Sequence, residues 1–334
     1  MTIKDIARES GYAVGTVSRV LNNQSGVSDA ARKKVLEVVE KYHFRLNNNA
    51  KHLKQQTNSG VAIIVKGTKN MMFAPLVESL QRRIKEKNYA CLIYYIGEED
   101  HEVEQALQVC RERQPLGILF LGSNQENFRE RFSEVDIPCV MVTNSASSLS
   151  FPNLSSVSID DTVAAEKAVN YLIALGHRKI GILGGEMQYS NPAKARYAGC
   201  LNAFHKNNIT FDAKKQFEFS RFTIDGGYKA MGNLLDKMED LTAVFAMSDV
   251  MALGAIRALK DRGMKVPEDV SVVGFDGIEM GQYLVPKLTT IQQPASIMAE
   301  RCIEILLQCI CGKGTSVNEQ ITFSFIEGES TRLL

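Results

Sequence analysis

Arg19 is the side chain whose surroundings point most directly to a chemical task. It lies in the run Val14-Gly15-Thr16-Val17-Ser18-Arg19-Val20-Leu21-Asn22. Helical spacing there puts Val17, Val20 and Leu21 on one face and leaves Val14, Gly15, Thr16, Ser18 and Arg19 on the outer and leading surface. A guanidinium grips guanine O6 and N7 through two hydrogen bonds, and hydroxyls such as Thr16 and Ser18 suit phosphate oxygens, so this surface could touch DNA.

The neighbouring residues supply the elements that must hold that helix. Thr2 followed by Asp5 is a capping-box-like start, Ile3, Ile6 and Ala7 share a face, and Gly11 provides the left-handed exit of a first helix. A third helix follows, with Ser28 as N-cap and Ala31, Val35, Val38 and Val39 as its apolar stripe. Two short helices around a glycine turn, closed by a third, predict a helix-turn-helix bundle whose second helix enters the major groove. Residues 1–60 carry ten Lys and Arg against five Asp and Glu, a net +5, while the whole chain is +1 and the remainder therefore −4. A basic head on a mildly acidic body is the asymmetry expected when one end meets phosphates.

From Gly60 onward, short apolar runs alternate with amphipathic helical patterns in two successive series, running from Val61–Val65 to Pro138–Val142 and from Asp160–Leu175 to Ser271–Phe275. That alternation predicts two lobes of α/β architecture, each a doubly wound parallel sheet covered on both faces. Ligands of such sheets sit beyond the carboxyl ends of the strands. The polar residues at those places are Lys66, Asn70 to Phe73 (including Met72), Asn144, Ser248, Asp249 and Asp276.

Other classes lack their residues. No G-x-S-x-G, H-E-x-x-H, P-loop or G-x-G-x-x-G pattern stands in its required context, so no enzyme is expected. The five histidines are scattered, the seven cysteines lack metal or paired-redox spacing, and neither metal nor cofactor is expected. His177, closing a helix as Leu-Gly-His, reads as a partner of the helix dipole. No apolar stretch reaches membrane-span length and the amino terminus runs straight into a charged helix, which predicts a cytoplasmic protein without membrane association. A solute-binding module without regulation would need an export signal and no headpiece, the reverse of what is present.

The runs TIKDIARESGYAVGTVSRVLN and VSDAARKKVLEVVEKYHFRLN, with MSDVMALGAI and VSVVGFDG further on, resemble the headpiece and sensor domain of the lactose-repressor/galactose-repressor (LacI/GalR) family of bacterial transcriptional regulators. The resemblance implies a headpiece at 1–46, a hinge helix or linker at 47–59, and a two-lobed body at 60–334 similar to periplasmic sugar-binding proteins. Lobe N would comprise about 60–159 and 292–316, and lobe C about 160–291 and 317–334. It also implies that Val14, Gly15 and Arg19 read bases, with Thr2, Thr16, Ser18 and Asn22 completing the DNA-contact set. In the hinge, Asn47, Ala50 and Lys51 would flank Leu53 as a minor-groove wedge. Departures from the family pattern are Ala13 at the recognition-helix cap, Leu46 for proline and Lys51 for arginine.

For the effector pocket the resemblance implies Phe73 and Phe222 as walls, Arg196 as charged anchor, and Asn144, Ser248, Asp276 and Gln293 as hydrogen-bonding partners. Lys66 and Met71-Met72 depart from the family's usual first loop, leaving an acidic or phosphorylated sugar as plausible as a neutral one. The implied protein is a repressor, working as a homodimer on a palindromic double-stranded operator under a small-molecule effector, a sugar or sugar derivative. No leucine heptad follows the strand-like Gln320–Ile326, so a dimer is expected rather than a tail-assembled tetramer.

Overall fold

The computed structural model describes residues 3–21, 25–42, 60–67, 70–185, 187 and 190–334. The chain divides into two compact units, Met1–Asn58 and Ser59–Leu334.

In the first unit, α1 (Ile3–Ser10), α2 (Val14–Leu21) and α3 (Asp29–Lys41) enclose a small core of Ile6, Ala7, Val17, Val20 and Val35, flanked by half-buried Tyr12, Leu21, Val27, Val38 and Val39. Gly11, at φ +75°, turns the chain out of α1 while its N–H and that of Tyr12 both donate to the Ala7 carbonyl. Ser28 caps α3 by accepting from the Ala31 N–H at 3.4 Å. So few apolar side chains make a bundle of low intrinsic stability.

The second unit is built from two six-stranded sheets. The first sheet has the order β11-β5-β4-β3-β1-β2: β1 (Gly60–Lys66), β2 (Ala90–Ile96), β3 (Gly117–Leu121), β4 (Cys139–Val142), β5 (Leu154–Ser158) and β11 (Asn318–Gln320), all parallel. The second has the order β12-β10-β9-β8-β6-β7: β6 (Ile180–Gly184), β7 (Phe217–Phe219), β8 (Ala243–Ala246), β9 (Ser271–Asp276), β10 (Thr289–Gln292) and antiparallel β12 (Ser324–Ile326). All seven residues of β1 are buried, as a near-continuous apolar run in a two-faced parallel sheet should be.

Helices cover both faces of each sheet. On the first, α4 (Phe73–Glu86) and α12 (Ala295–Ile310) close one core, while α5 (Glu102–Arg113) and α6 (Gln125–Arg131) close the other around Phe120, Phe128 and Phe132. On the second, α7 (Asp161–Ala174) and α8 (Asn191–Lys206) pack on one face. There α9 (Ala213–Gln216) precedes β7, and α10 (Ile224–Lys237) and α11 (Asp249–Asp261) pack on the other face.

The chain passes between lobes three times, from β5 to α7, from β10 to α12 and from β11 to β12. The last passage corrects two expectations. The strand-like stretch 320–326 is two strands in different sheets, and residues 318–320 pair with β5, so the change of lobe falls after Ile321 rather than at 317. Along that edge, Asn318–Gln320 satisfies its backbone against Ser156–Ser158 of β5. His177 also differs from expectation. It is buried, bonded to Thr242 Oγ1 at 3.0 Å and to the Arg332 carbonyl at 3.2 Å, and burial holds its basicity below the usual histidine value. It is a neutral tether for the carboxyl-terminal segment and not a cation at a helix end.

Candidate functional site

In the head, α2 presents the face the sequence predicts. Val17 and Val20 are buried, while Val14, Gly15 and Arg19 are exposed and Thr16 and Ser18 half-buried. Thr2, Asn22, Asn47, Ala50, Lys51 and Leu53 lie outside the described residues.

In the body, the carboxyl ends of the strands gather around one guanidinium. Arg196, on the second turn of α8 after the Ser190 cap, is buried. Its Nε donates to Asp161 Oδ1 at 2.8 Å, Nη1 donates to the Met247 carbonyl and lies 3.7 Å from Asp276 Oδ1, and its plane lies 3.6 Å from the Phe275 ring centroid. Asp276 ends β9 at φ +115° and receives Gln293 Nε2 on Oδ1 at 2.9 Å. The same Nε2 lies 3.5 Å from Met72 Sδ, joining the two lobes at this point. Across from it, Asn144 donates from Nδ2 to the Ser123 carbonyl.

Three buried atoms here, Asp276 Oδ2, Gln293 Oε1 and Ser123 Oγ, have no hydrogen-bond partner among the described residues. Two of them are pure acceptors, so the chemistry they offer is reception of O–H or N–H donors. The charges agree. Burial raises the Asp276 carboxyl to about 6, against the opposing pull of Arg196, and burial also raises Asp161 and, more strongly, Asp249. With the carboxyls of Asp161 and Asp276 already facing one guanidinium, this pocket does not favour an added anion.

The structure does not bring every predicted residue into that cluster. Lys66 Nζ pairs with Glu102 Oε2 at 2.8 Å, and Glu102 also accepts from the Asn124 N–H at 2.6 Å and Asn127 Nδ2 at 2.7 Å. The cation expected to favour a phosphorylated ligand is therefore already matched, by a partner 36 residues away in the chain. Ser248 Oγ caps α11 by accepting from the Met251 N–H at 3.3 Å. Asp249 is wholly buried and faces Thr290 and Ile278. Phe73 begins α4 inside the first lobe's core, whereas Phe222 is half-buried between the two cores of the second lobe. Asn70 accepts the Met72 N–H at 3.1 Å and shapes the loop that delivers Met72.

Sequence reasoning passed over Asp161 and Glu102. In the pair Asp160-Asp161, Asp160 caps the helix by accepting from the Val163 N–H, and its neighbour turns inward to Arg196.

A helix-turn-helix bundle joined to a two-lobed body with an acceptor-rich buried cluster is the architecture of a DNA-binding transcriptional regulator. Comparison with known proteins gives the family. The model for bacterial regulatory proteins of the lacI family matches residues 2–47, and that for a periplasmic binding protein-like domain matches residues 169–331. The chain is 34% identical over 333 residues to the HTH-type transcriptional regulator MalR of Clostridium butyricum, covering 99% of each. It is 31% identical over 309 residues to the ribose operon repressor of Haemophilus influenzae, covering 92% of each. Among solved structures, the complex of the transcriptional regulator CelR with cellobiose superposes with a TM-score of 0.73 at 27% identity over 99% of both chains. The chain belongs to the lacI family of transcriptional regulators. Among the described residues no helix is long and apolar enough to cross a membrane.

Proposed function

We propose that this protein is a cytoplasmic repressor that binds a palindromic operator as a homodimer and answers to a neutral sugar. The headpiece of about 1–46, the hinge of 47–59 and the body of 60–334 divide the work. Base readout within one head is thin, since Val14 offers only a methyl contact, Gly15 offers no side chain and Arg19 carries the donors. Two heads on two half-sites restore useful affinity.

The observation that carries the effector reading is the pair of buried, unpartnered acceptors Asp276 Oδ2 and Gln293 Oε1 beside an already paired Arg196. Hydroxyl groups satisfy them, whereas a phosphate brings further acceptors and negative charge to a site short of cations. The relatives' names, a ribose operon repressor and a regulator bound to cellobiose, support the same class. Sugar binding between the lobes alters their relation, and by linkage effector and operator affinities change by the same factor.

Calorimetry of the full-length protein against ribose, glucose, maltose, cellobiose, glucose 6-phosphate and hypoxanthine tests this. Binding of at least one uncharged sugar is expected. Binding confined to the phosphate or the nucleobase overturns the reading. Selection from random duplexes should return a palindrome, and an asymmetric or absent consensus overturns the dimeric mode.

A further inference from the structure

Asp249 is a buried carboxyl for which direct effector contact leaves no role. Its neighbour Ser248 caps α11, so Asp249 is free to turn from the helix end toward β9 and β10. Oδ2 accepts the Ile278 N–H at 2.7 Å, and Oδ1 lies 2.6 Å from Thr290 Oγ1. Gly274 makes the space, since a Cβ there would lie 2.2 Å from Asp249 Oδ1. The Thr290 hydroxyl also lies 3.2 Å from the Ile291 carbonyl, which shares the same proton as a weaker second acceptor. The Thr290 hydroxyl donates to Asp249 Oδ1, and burial, reinforced by the Asp276 charge, raises the Asp249 carboxyl well above its ordinary value against the pull of the Thr290 and Ile278 bonds.

The segment so held carries both the ligand cluster and the lobe contact. Asp276 and Gly277 have φ of +115° and +73°, a turn that costs an aspartate backbone strain unless its surroundings over-determine it. Asp276 carries the unpartnered acceptor, and Ile278, two residues on, packs with Val250 among Met72 and Phe73 of the other lobe. We infer that Asp249 is the positioning residue of the effector site, a hydrogen-bonding strut that holds Asp276 in its ligand-accepting pose and ties that pose to the contact between lobes. This rests on the effector reading of Asp276 given above.

The test is a double-mutant cycle in the full-length protein, with the sugar of the panel above that binds tightest as probe. Asp249→Ala should weaken that sugar about tenfold or more. Asp249→Asn, which keeps one acceptor for Ile278 and can donate to Thr290 Oγ1 once that hydroxyl turns to the Ile291 carbonyl, should stay within about threefold of the wild type. In an Asp276→Ala background Asp249→Ala should add nothing, because its effect passes through Asp276. Losses that multiply, or an asparagine variant as impaired as alanine, overturn the inference. Hydrogen exchange gives a readout without ligand: Asp249→Ala should deprotect the amides of residues 276–278 and 289–293 while α7 and α8 keep theirs. Unchanged protection overturns the strut. If no uncharged sugar binds the wild type, the sugar reading fails and the exchange result alone decides the strut.

Discussion

Two buried ionic sites stand at the carboxyl ends of the two sheets, and they are built to opposite specifications. In the first lobe, Lys66 meets Glu102, and the carboxylate's remaining capacity is filled by Asn124 and Asn127, so charge and hydrogen bonds both close. In the second, Arg196 faces Asp161 and Asp276, and two buried acceptors remain without a partner among the described residues. A saturated pair is part of the scaffold, whereas an unsaturated cluster of the same residue types is the candidate for a ligand. Buried polarity alone does not separate the two; the hydrogen-bond accounting does.

The comparison is most sharply broken by Glu102→Ala, which strands the Lys66 charge in the interior. A loss of about 3–5 kcal/mol in denaturant unfolding of the body is expected, with little change on replacing the pair together by Lys66→Met and Glu102→Gln. Asp276→Asn should act in the other direction. A carboxyl whose folded value is raised from the ordinary 3.8 to about 6 stabilises the folded state below pH 3.8 and loses that contribution as pH rises through 6. The asparagine variant should therefore be more stable than wild type at pH 7, by roughly 3 kcal/mol at about 1.4 kcal/mol per tenfold change in proton affinity. It should bind sugar more weakly, and the stability gap should shrink as pH falls from 6 toward 3.8. An Asp276→Asn protein less stable at pH 7 would mean that its charge is already compensated.

Arg19→Ala tests the remaining region. It should cost about 1–3 kcal/mol of discrimination at one base pair of each half-site in gel shifts, with sugar binding intact. The smallest effect is expected at Glu99 and Arg221, an exposed pair 2.6 Å apart that links the two lobes at the surface. Reversing either charge should change sugar affinity slightly, and the change should vanish in high salt.

Much of this was legible in the sequence because period and punctuation are local. Gly11, the Val17–Val20 spacing and the Ser28 cap specified the head bundle, and the apolar runs of β1, β3, β8 and β9 announced themselves within a few residues of their observed ends. Less legible were α12, apolar around much of its circumference, and the short strands β5, β10, β11 and β12, which carry too few residues to display a period. In the candidate cluster, Arg196, Asp276 and Gln293 were named from the sequence, and the structure brings them within a few ångströms of one another. Asp161 could not be given its role, because which of two adjacent aspartates caps a helix depends on the backbone it meets.

The sequence by itself determined the secondary elements, the α/β class and the exposed face of α2, all consequences of spacings within about one or two helical turns. Only the tertiary structure decided which charges cancel. Lys66 and Glu102, 36 residues apart, and Asp249 and Thr290, 41 apart, become partners when strand ends converge. In that dry interior a partner's presence fixes whether a polar group is scaffold or ligand site, because solvent is not there to substitute for it.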